Sequence, residues 1–257
     1  MLKGIDHIVI VVPELEAAIE SYGRLGFTVV RGGKHNIGTH NALIAFGDGA
    51  YMELIAFLNP VAGHPWYDAM NKSGGLVDFC AQTDDLAAEV AAYRRAAISI
   101  SDPNAMTRDR PDGYRLKWVL SIPSAPFNGS VPFLIKDETP RDERVPRERT
   151  HANGVGGLAN LIVAVADASK ASEWYRVITG SNGAPVEHRD LDAAGTRFVL
   201  GSHQVDVIAP RGTTGPVAEF IRERNAGPYR ATLRGPRASV LDASMAQNAR
   251  LQIAVQG

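Results

Sequence analysis

The chain has 257 residues, 45% of them hydrophobic and 21% charged, with a formal net charge of -1. A globular chain of this length forms one or two domains and buries about 70–75% of its unfolded surface, and the near-neutral charge excludes nucleic acid or an anionic membrane as its main partner. Its one cysteine, Cys80, excludes an internal disulfide and reads as a core residue within the apolar run GLVDFCAQT.

Residues 4–12 are apolar and β-branched, interrupted by Asp6 and His7, and read as a buried strand that Pro13 ends. No charged, apolar and cleavable leader precedes it, and no apolar run approaches the ~20 residues that cross a bilayer, so a cytoplasmic location is expected. Glu14 and Glu16 load the first turn of the next helix with negative charge. Leu15, Ala18, Ile19, Tyr22 and Leu25 give that helix one apolar face, and Gly26 stops it. Strands follow at 27–31, 41–46 and 51–57. Gly32-Gly33 breaks the first of these, and Gly47-Asp48-Gly49 marks a hairpin between the last two. This β-α-β-β-β order is a complete supersecondary unit.

Residues 59–72 read as a connection. The order then starts again, with a strand at 76–82, a helix at 84–97, and strands beginning at 98–101, at 114–122 and at 131–136. Turns fall at 109–113 and 126–129. Residues 139–154 are dense in charge and proline and read as a solvated linker. A third round has a strand at 158–165, a helix at 168–178 and strands near 197–200 and 204–209. A short amphipathic helix covers 215–227. A truncated last unit follows, with a strand at 229–234, a helix near 240–247 and a strand at 251–255. The expected domains are 1–138, two full units, and 155–257, one full unit and a partial one.

His7 and Glu53 are 46 positions apart, as are Asn160 and Asp206, and an offset of 153 relates the two pairs. An offset of 71 places Asp78 opposite His7. A shared period signals duplication. His7 and Glu53 occupy matching places on the first and last strands of one unit. A buried carboxylate such as Glu53 needs a partner or shifts its pKa upward, and either outcome suits a metal ligand, a general base or a buried ion pair. His35 and His40 flank a glycine-bounded turn that delivers side chains to a cleft or to solvent. Asn41 orients a substrate oxygen or caps the turn. Arg110 and Arg115 offer planar forks to a carboxylate, and Trp118 is core or cleft wall.

The run Gly32-Gly33-Lys34-His35 through Thr39, Asn41 and Leu43, followed by Tyr51-Met52-Glu53-Leu54, resembles the glyoxalase-like domain family. So does Arg110-Pro111-Asp112-Gly113 followed by Leu116, Trp118 and Pro132-Phe133-Leu134-Ile135. Residues 215–220 with Gly227 resemble the run before the last unit of the epimerases. The whole arrangement resembles the vicinal oxygen chelate superfamily, whose members include glyoxalase I, extradiol dioxygenases, methylmalonyl-CoA epimerase and the bleomycin-resistance proteins. The resemblance implies an α+β fold of repeated β-α-β-β-β units, in curved mixed sheets around a cleft. It also implies metal ligands on the first and fourth strands of each unit. Carried onto this chain, these are His7 and Glu53 in the first unit, Asp78 alone in the second, Asn160 and Asp206 in the third, and Arg230 in the fourth.

The implied function is a small-molecule isomerase, lyase or dioxygenase. Glu53 and His7 would be its catalytic groups and the ligands of a divalent metal, Zn, Mn, Ni or Fe, and His35, His40, Asn41, Arg115 and Trp118 would contact substrate. The alternative is a metal-free binding protein that sequesters a small molecule. A homodimer is one way to cover the sheet edge that the truncated unit leaves.

Overall fold

The computed structural model describes residues 2–35, 37–110 and 112–255. Its first part runs β1 (Gly4–Val11), α1 (Leu15–Arg24), β2 (Val30–His35), β3 (Thr39–Ala45), β4 (Tyr51–Phe57), α2 (Pro65–Lys72), β5 (Gly75–Gln82), α3 (Leu86–Arg95), β6 (Asn104–Asp109), β7 (Arg115–Ser121) and β8 (Phe133–Asp137). These strands close into a barrel in the order β1-β4-β3-β2-β6-β7-β8-β5. The second part runs α4 (Arg141–Arg144), β9 (Gly157–Ala164), α5 (Ala168–Thr179), β10 (Ala184–His188), β11 (Ala193–Leu200), β12 (His203–Pro210), α6 (Pro216–Arg224), β13 (Gly227–Gly235), β14 (Ser239–Val240) and β15 (Leu251–Val255). Its strands form a seven-stranded sheet, β10-β11-β12-β9-β13-β15-β14. No helix among the described residues is long and apolar enough to cross a membrane.

The opening strand of every unit carries a bulge at the same place. β1 pairs Ile5 with Ala81 and then His7 with Cys80, which leaves Asp6 as the extra residue. The same count leaves Val77 extra in β5, Ala159 in β9 and Tyr229 in β13. The residues that follow these bulges are His7, Asp78, Asn160 and Arg230, the positions aligned by period in the sequence. A bulge bends its strand and re-aims a side chain. In β1 it lets the adjacent Asp6 and His7 meet.

A second mark of duplication sits on the helices. Tyr22, Tyr93 and Tyr175 are fully buried at equivalent positions of α1, α3 and α5. Each hydroxyl donates to a backbone carbonyl, that of Ala246 at 2.9 Å, Pro132 at 2.8 Å and Ser130 at 3.0 Å. A buried phenol without such a partner would cost about 1–3 kcal/mol.

Every residue of β1 is buried. Ile8 and Ile10 face outward into a core built from both parts of the chain, with Phe79, Leu134, Leu161, Val163 and Phe198. Val9 and Val11 face the barrel interior with Ile55, Cys80, Trp118 and Phe133. This two-sided burial explains the nearly continuous apolar run.

Several expectations change. Residues 65–72 form α2 rather than a connection, started by Pro65 after His64, whose ring accepts from the Trp66 N–H. The strand expected from 98–101 lies at 104–109, and Ile100 makes only an isolated bridge to Pro123. Gly32-Gly33 does not end a strand. Gly32 is a bulge inside β2, where an added Cβ would lie 2.0 Å from Asn41 Oδ1. β10 was not anticipated.

No helix forms at 240–247. Gln247 and Asn248 have positive φ, and the carbonyls of Met245 and Ala246 accept from Ser21 and Tyr22. β15 lies parallel to β13, as β4 lies parallel to β1. The truncated unit therefore keeps its last strand and lacks its helix and outer strand. Residues 139–154 are not a solvated connector either, because Arg144, Val145 and His151 are buried. Pro111, in the turn at 109–113, lies outside the described residues.

Candidate functional site

Strand alternation places one side chain in two inside the barrel. β1 contributes His7, β4 contributes Tyr51, Glu53 and Ile55, β3 contributes Asn41, and β2 contributes His35. Together with Arg108, Trp118 and Phe133 from the second unit they line a cleft of about 510 Å³, the open space at its mouth included.

At the centre, His7 Nδ1 donates to Asp6 Oδ1 at 2.7 Å, and Nε2 faces Glu53 Oε2 at 3.4 Å. The ring stacks on Tyr51 at 4.6 Å and meets the edge of Phe133 at 5.4 Å. Asp6 is fully buried and is gripped by Arg144 at 2.9 and 3.1 Å and by Arg141. Burial alone would raise its carboxyl, but Arg144, then His7 and Arg141, hold it well below the ordinary 3.8. Arg144 also reaches Asp137 and the Tyr51 hydroxyl. The histidine is thus clamped by charge on one side and by rings on two others.

Glu53 is 7% exposed. Asn41 Nδ2 donates to its Oε1 at 2.6 Å. The Asn41 amide is oriented because its Oδ1 accepts from the Gly33 N–H at 3.1 Å, the approach that glycine at 32 allows. His35 Nε2 lies 4.0 Å from Oε1, and its Nδ1 is engaged by Thr39 Oγ1 at 2.8 Å. Burial pushes the Glu53 carboxyl up, but His7, His35 and the Asn41 hydrogen bond outweigh it and leave the group below its ordinary 4.5. Burial lowers His35 below 6.5. At neutral pH the cleft therefore holds an ionised carboxylate beside a neutral imidazole.

A histidine whose far nitrogen donates to a carboxylate is the usual support for a metal-ligating imidazole. A cation about 2.0–2.2 Å from both His7 Nε2 and Glu53 Oε2 fits the gap between them. Asp6, His7 and Cys80 also offer ligand atoms within 4.8 Å of one another. That trio fits a cation poorly, since two arginines already neutralise Asp6 and burial holds the Cys80 thiol protonated. His7 and Glu53 fit as a two-donor site, in the N/O chemistry of Zn, Mn, Ni or Fe. Phe133 stands on β8 where Glu53 stands on β4, since Cys80 pairs with Phe133 as Val9 pairs with Glu53. The second unit thus adds no carboxylate at that place.

Of the residues singled out from sequence, His7, Glu53, His35, Asn41 and Trp118 come together. Two do not. His40 neighbours Asn41 on β3 and so points away from the cleft. Arg115 has a 64% exposed side chain and pairs with Asp109 at 2.7 Å on the surface. Arg110 likewise pairs with Asp112 and Glu143. Asp78 is buried and accepts from Trp66 Nε1 at 3.1 Å and from the Phe79 N–H at 2.9 Å, and burial pushes its carboxyl up to about 7. In the second sheet Asp206 is locked by Arg197 and His188, and the Asn160 amide nitrogen is buried without a partner.

Sequence reasoning missed Asp6, Tyr51, Trp66, Arg108 and Arg144. The charge of Asp6 inside an apolar strand was a usable signal. So was the alternation of Met106 and Arg108. Arg144 gave none, because it sits in a run that reads as solvated.

Paired β-α-β-β-β units around a polar cleft define a class of small-molecule proteins with a shared scaffold and varied chemistry. A family model for the glyoxalase-like domain matches residues 5–179, and the chain belongs to that family, within the vicinal oxygen chelate superfamily. The mitochondrial methylmalonyl-CoA epimerase of Mus musculus is 31% identical over 74 residues, 28% of this chain, and that of Bos taurus is 30% identical over the same length. The chain spans 42% of the length of these relatives. Among solved structures, a hypothetical protein from Staphylococcus aureus superposes with a TM-score of 0.72 at 16% identity, covering 100% of both chains. A mutant 4-hydroxymandelate synthase from Streptomyces coelicolor gives 0.59 at 14% identity, covering 91% of this chain and 71% of its own. These likenesses show the fold.

Proposed function

We propose that the barrel cleft is the active site of a small-molecule enzyme that moves a proton at a carbon beside a carbonyl oxygen. The observation that carries this is Glu53, a carboxylate buried among apolar walls yet held ionised. Such a group accepts a proton from carbon without first losing one. Its modest basicity is offset when the neighbouring carbonyl is polarised, which acidifies the carbon. A divalent cation, held by His7 and Glu53, would supply that polarisation as a Lewis acid. Asp6 fixes the tautomer and tilt of His7, Asn41 fixes the rotamer of Glu53, and Trp118 and Phe133 exclude water from one wall. The epimerase relatives favour this reaction class over the others in the family.

A second reading is metal-free sequestration of a small molecule. Phe133 in the place of a second carboxylate favours it. One experiment separates the two. Carbonyl compounds, thioesters and 2-oxo acids are incubated with the protein in heavy water, and deuterium uptake at the carbon beside the carbonyl is followed by NMR. Uptake by the wild type that Glu53→Gln abolishes supports the enzyme. Saturable binding without uptake supports sequestration. Elemental analysis of protein purified without added metal or chelator, repeated on His7→Ala, tests the cation site.

A further inference from the structure

Arg108 is a buried cation that no carboxylate touches among the described residues. It is 4% exposed and lines the cleft. β6 pairs with β2 so that Arg108 lies directly opposite His35. On an antiparallel pair such residues have Cβ atoms about 4.5–5.5 Å apart on one face. Gly33 makes room for the stem, since a Cβ there would lie 3.2 Å from Arg108 Cγ.

Among the described residues, the guanidinium makes one hydrogen bond, from Nη2 to the Arg144 carbonyl at 3.0 Å, and no carboxylate ion-pairs with it. Its Nε is buried with no partner. Glu53 acts on it only at longer range than an ion pair, and each nearby carboxylate has direct partners elsewhere. Asp6 is held by Arg144 and Arg141, Asp137 by Arg144, and Glu53 by Asn41 and His7. A buried charge of this kind is costly unless something completes it. The other buried arginine, Arg144, shows the contrast, with two carboxylates and a phenol around it.

We infer that Arg108 is the anchor for a substrate carboxylate bound inside the cleft. This rests on the proposed active site and adds the class of its substrate. A guanidinium fork matches a carboxylate in plane, with charge-assisted hydrogen bonds about twice as strong as neutral ones. The remaining lining is apolar and largely aromatic, with Trp66, Met106, Trp118, Leu120, Phe133 and Ile135. It suits a monoanion with a flat or apolar body, and among the described residues it offers no second free cation for a doubly charged phosphate. The anchor on β6 lies opposite His35 on β2, and Glu53 stands on β4, two strands further round the barrel in the same direction. A carboxylate on Arg108 therefore directs the adjoining carbons toward the base.

The test uses the intact protein and the fluorescence of Trp66 and Trp118. Acetate, propionate and benzoate are titrated at constant ionic strength, each against its neutral amide, and inorganic phosphate is tested as competitor. The expected result is saturable quenching by at least one carboxylate, with its amide bound about tenfold or more weakly. Arg108→Met should bring the pair to equal affinity, and Arg108→Lys should restore part of the difference. Glu53→Gln should retain carboxylate binding, so loss of the anchor and loss of the base give different results. Equal binding of acid and amide by the wild type overturns the inference, and that comparison needs no variant. Absence of saturable quenching by all three acids overturns it. Displacement by phosphate at concentrations equal to the carboxylate overturns it in favour of a general anion site.

Discussion

Asp78 supplies a stability change with a definite sign. Its side chain is buried and accepts from the N–H groups of Trp66 and Phe79, and among the described residues it makes no ion pair. Burial raises its carboxyl from 3.8 to about 7. A raised carboxyl binds its proton more tightly in the fold than in the unfolded chain. The resulting stability is fully present below the unfolded value of 3.8 and is lost as pH rises toward 7. One pKa unit corresponds to about 1.36 kcal/mol, so the difference between the two values is worth about 4 kcal/mol. Asp78→Asn removes the titration. It also alters two hydrogen bonds, at a cost of about 1–3 kcal/mol that does not vary with pH.

The stability difference between wild type and variant therefore shifts by about 4 kcal/mol from about pH 4 to about pH 8, and the shift favours the variant as pH rises. Urea denaturation of both proteins across that range measures it. A difference that stays flat, or that moves toward the wild type as pH rises, excludes a proton on the buried Asp78 carboxyl at neutral pH. Either result would mean that Asp78 is ionised in the fold and that the Trp66 wall of the cleft rests on a charged acceptor.

Arg144→Met leaves Asp6 and Asp137 without their shared buried cation and should destabilise the fold by about 3–5 kcal/mol, read by the same denaturation. With Glu53 held below 4.5, its acid limb in a pH–rate profile should fall below that pH, and a limb centred near pH 7 would assign the base elsewhere. Arg115→Ala removes only an exposed ion pair, so carboxylate binding by fluorescence should stay within about twofold.

The repeat was readable because period, strand order and the pairing of His7 with Glu53 all survive as letters. The tyrosines at 22, 93 and 175 carry the same period and mark it more firmly, since a helix face places all three in the core. The bulges leave no letter of their own. Asp6, Val77, Ala159 and Tyr229 share no chemistry, so only the register shows that each is the extra residue. The site was legible where a polar side chain interrupts an apolar strand, as at His7 and Glu53. It was illegible where long side chains act from far along the chain. Arg144 looks solvated in its run of charges, yet it crosses to Asp6, where the aliphatic stem packs and the head finds carboxylates. His40 and Arg115 were drawn in by residue type, and strand alternation and a surface partner turn them away from the cleft.

The proposed chemistry takes place at Glu53 and not at its counterpart in the second sheet, Asp206, which is already paired with Arg197 and hydrogen-bonded to His188. The direct measurement is solvent deuterium uptake into a turned-over carbonyl compound, compared among wild type, Glu53→Gln and Asp206→Asn, each verified as folded by circular dichroism. Uptake should disappear with Glu53→Gln and stay within a fewfold of wild type with Asp206→Asn. Uptake that survives Glu53→Gln and disappears with Asp206→Asn would contradict it.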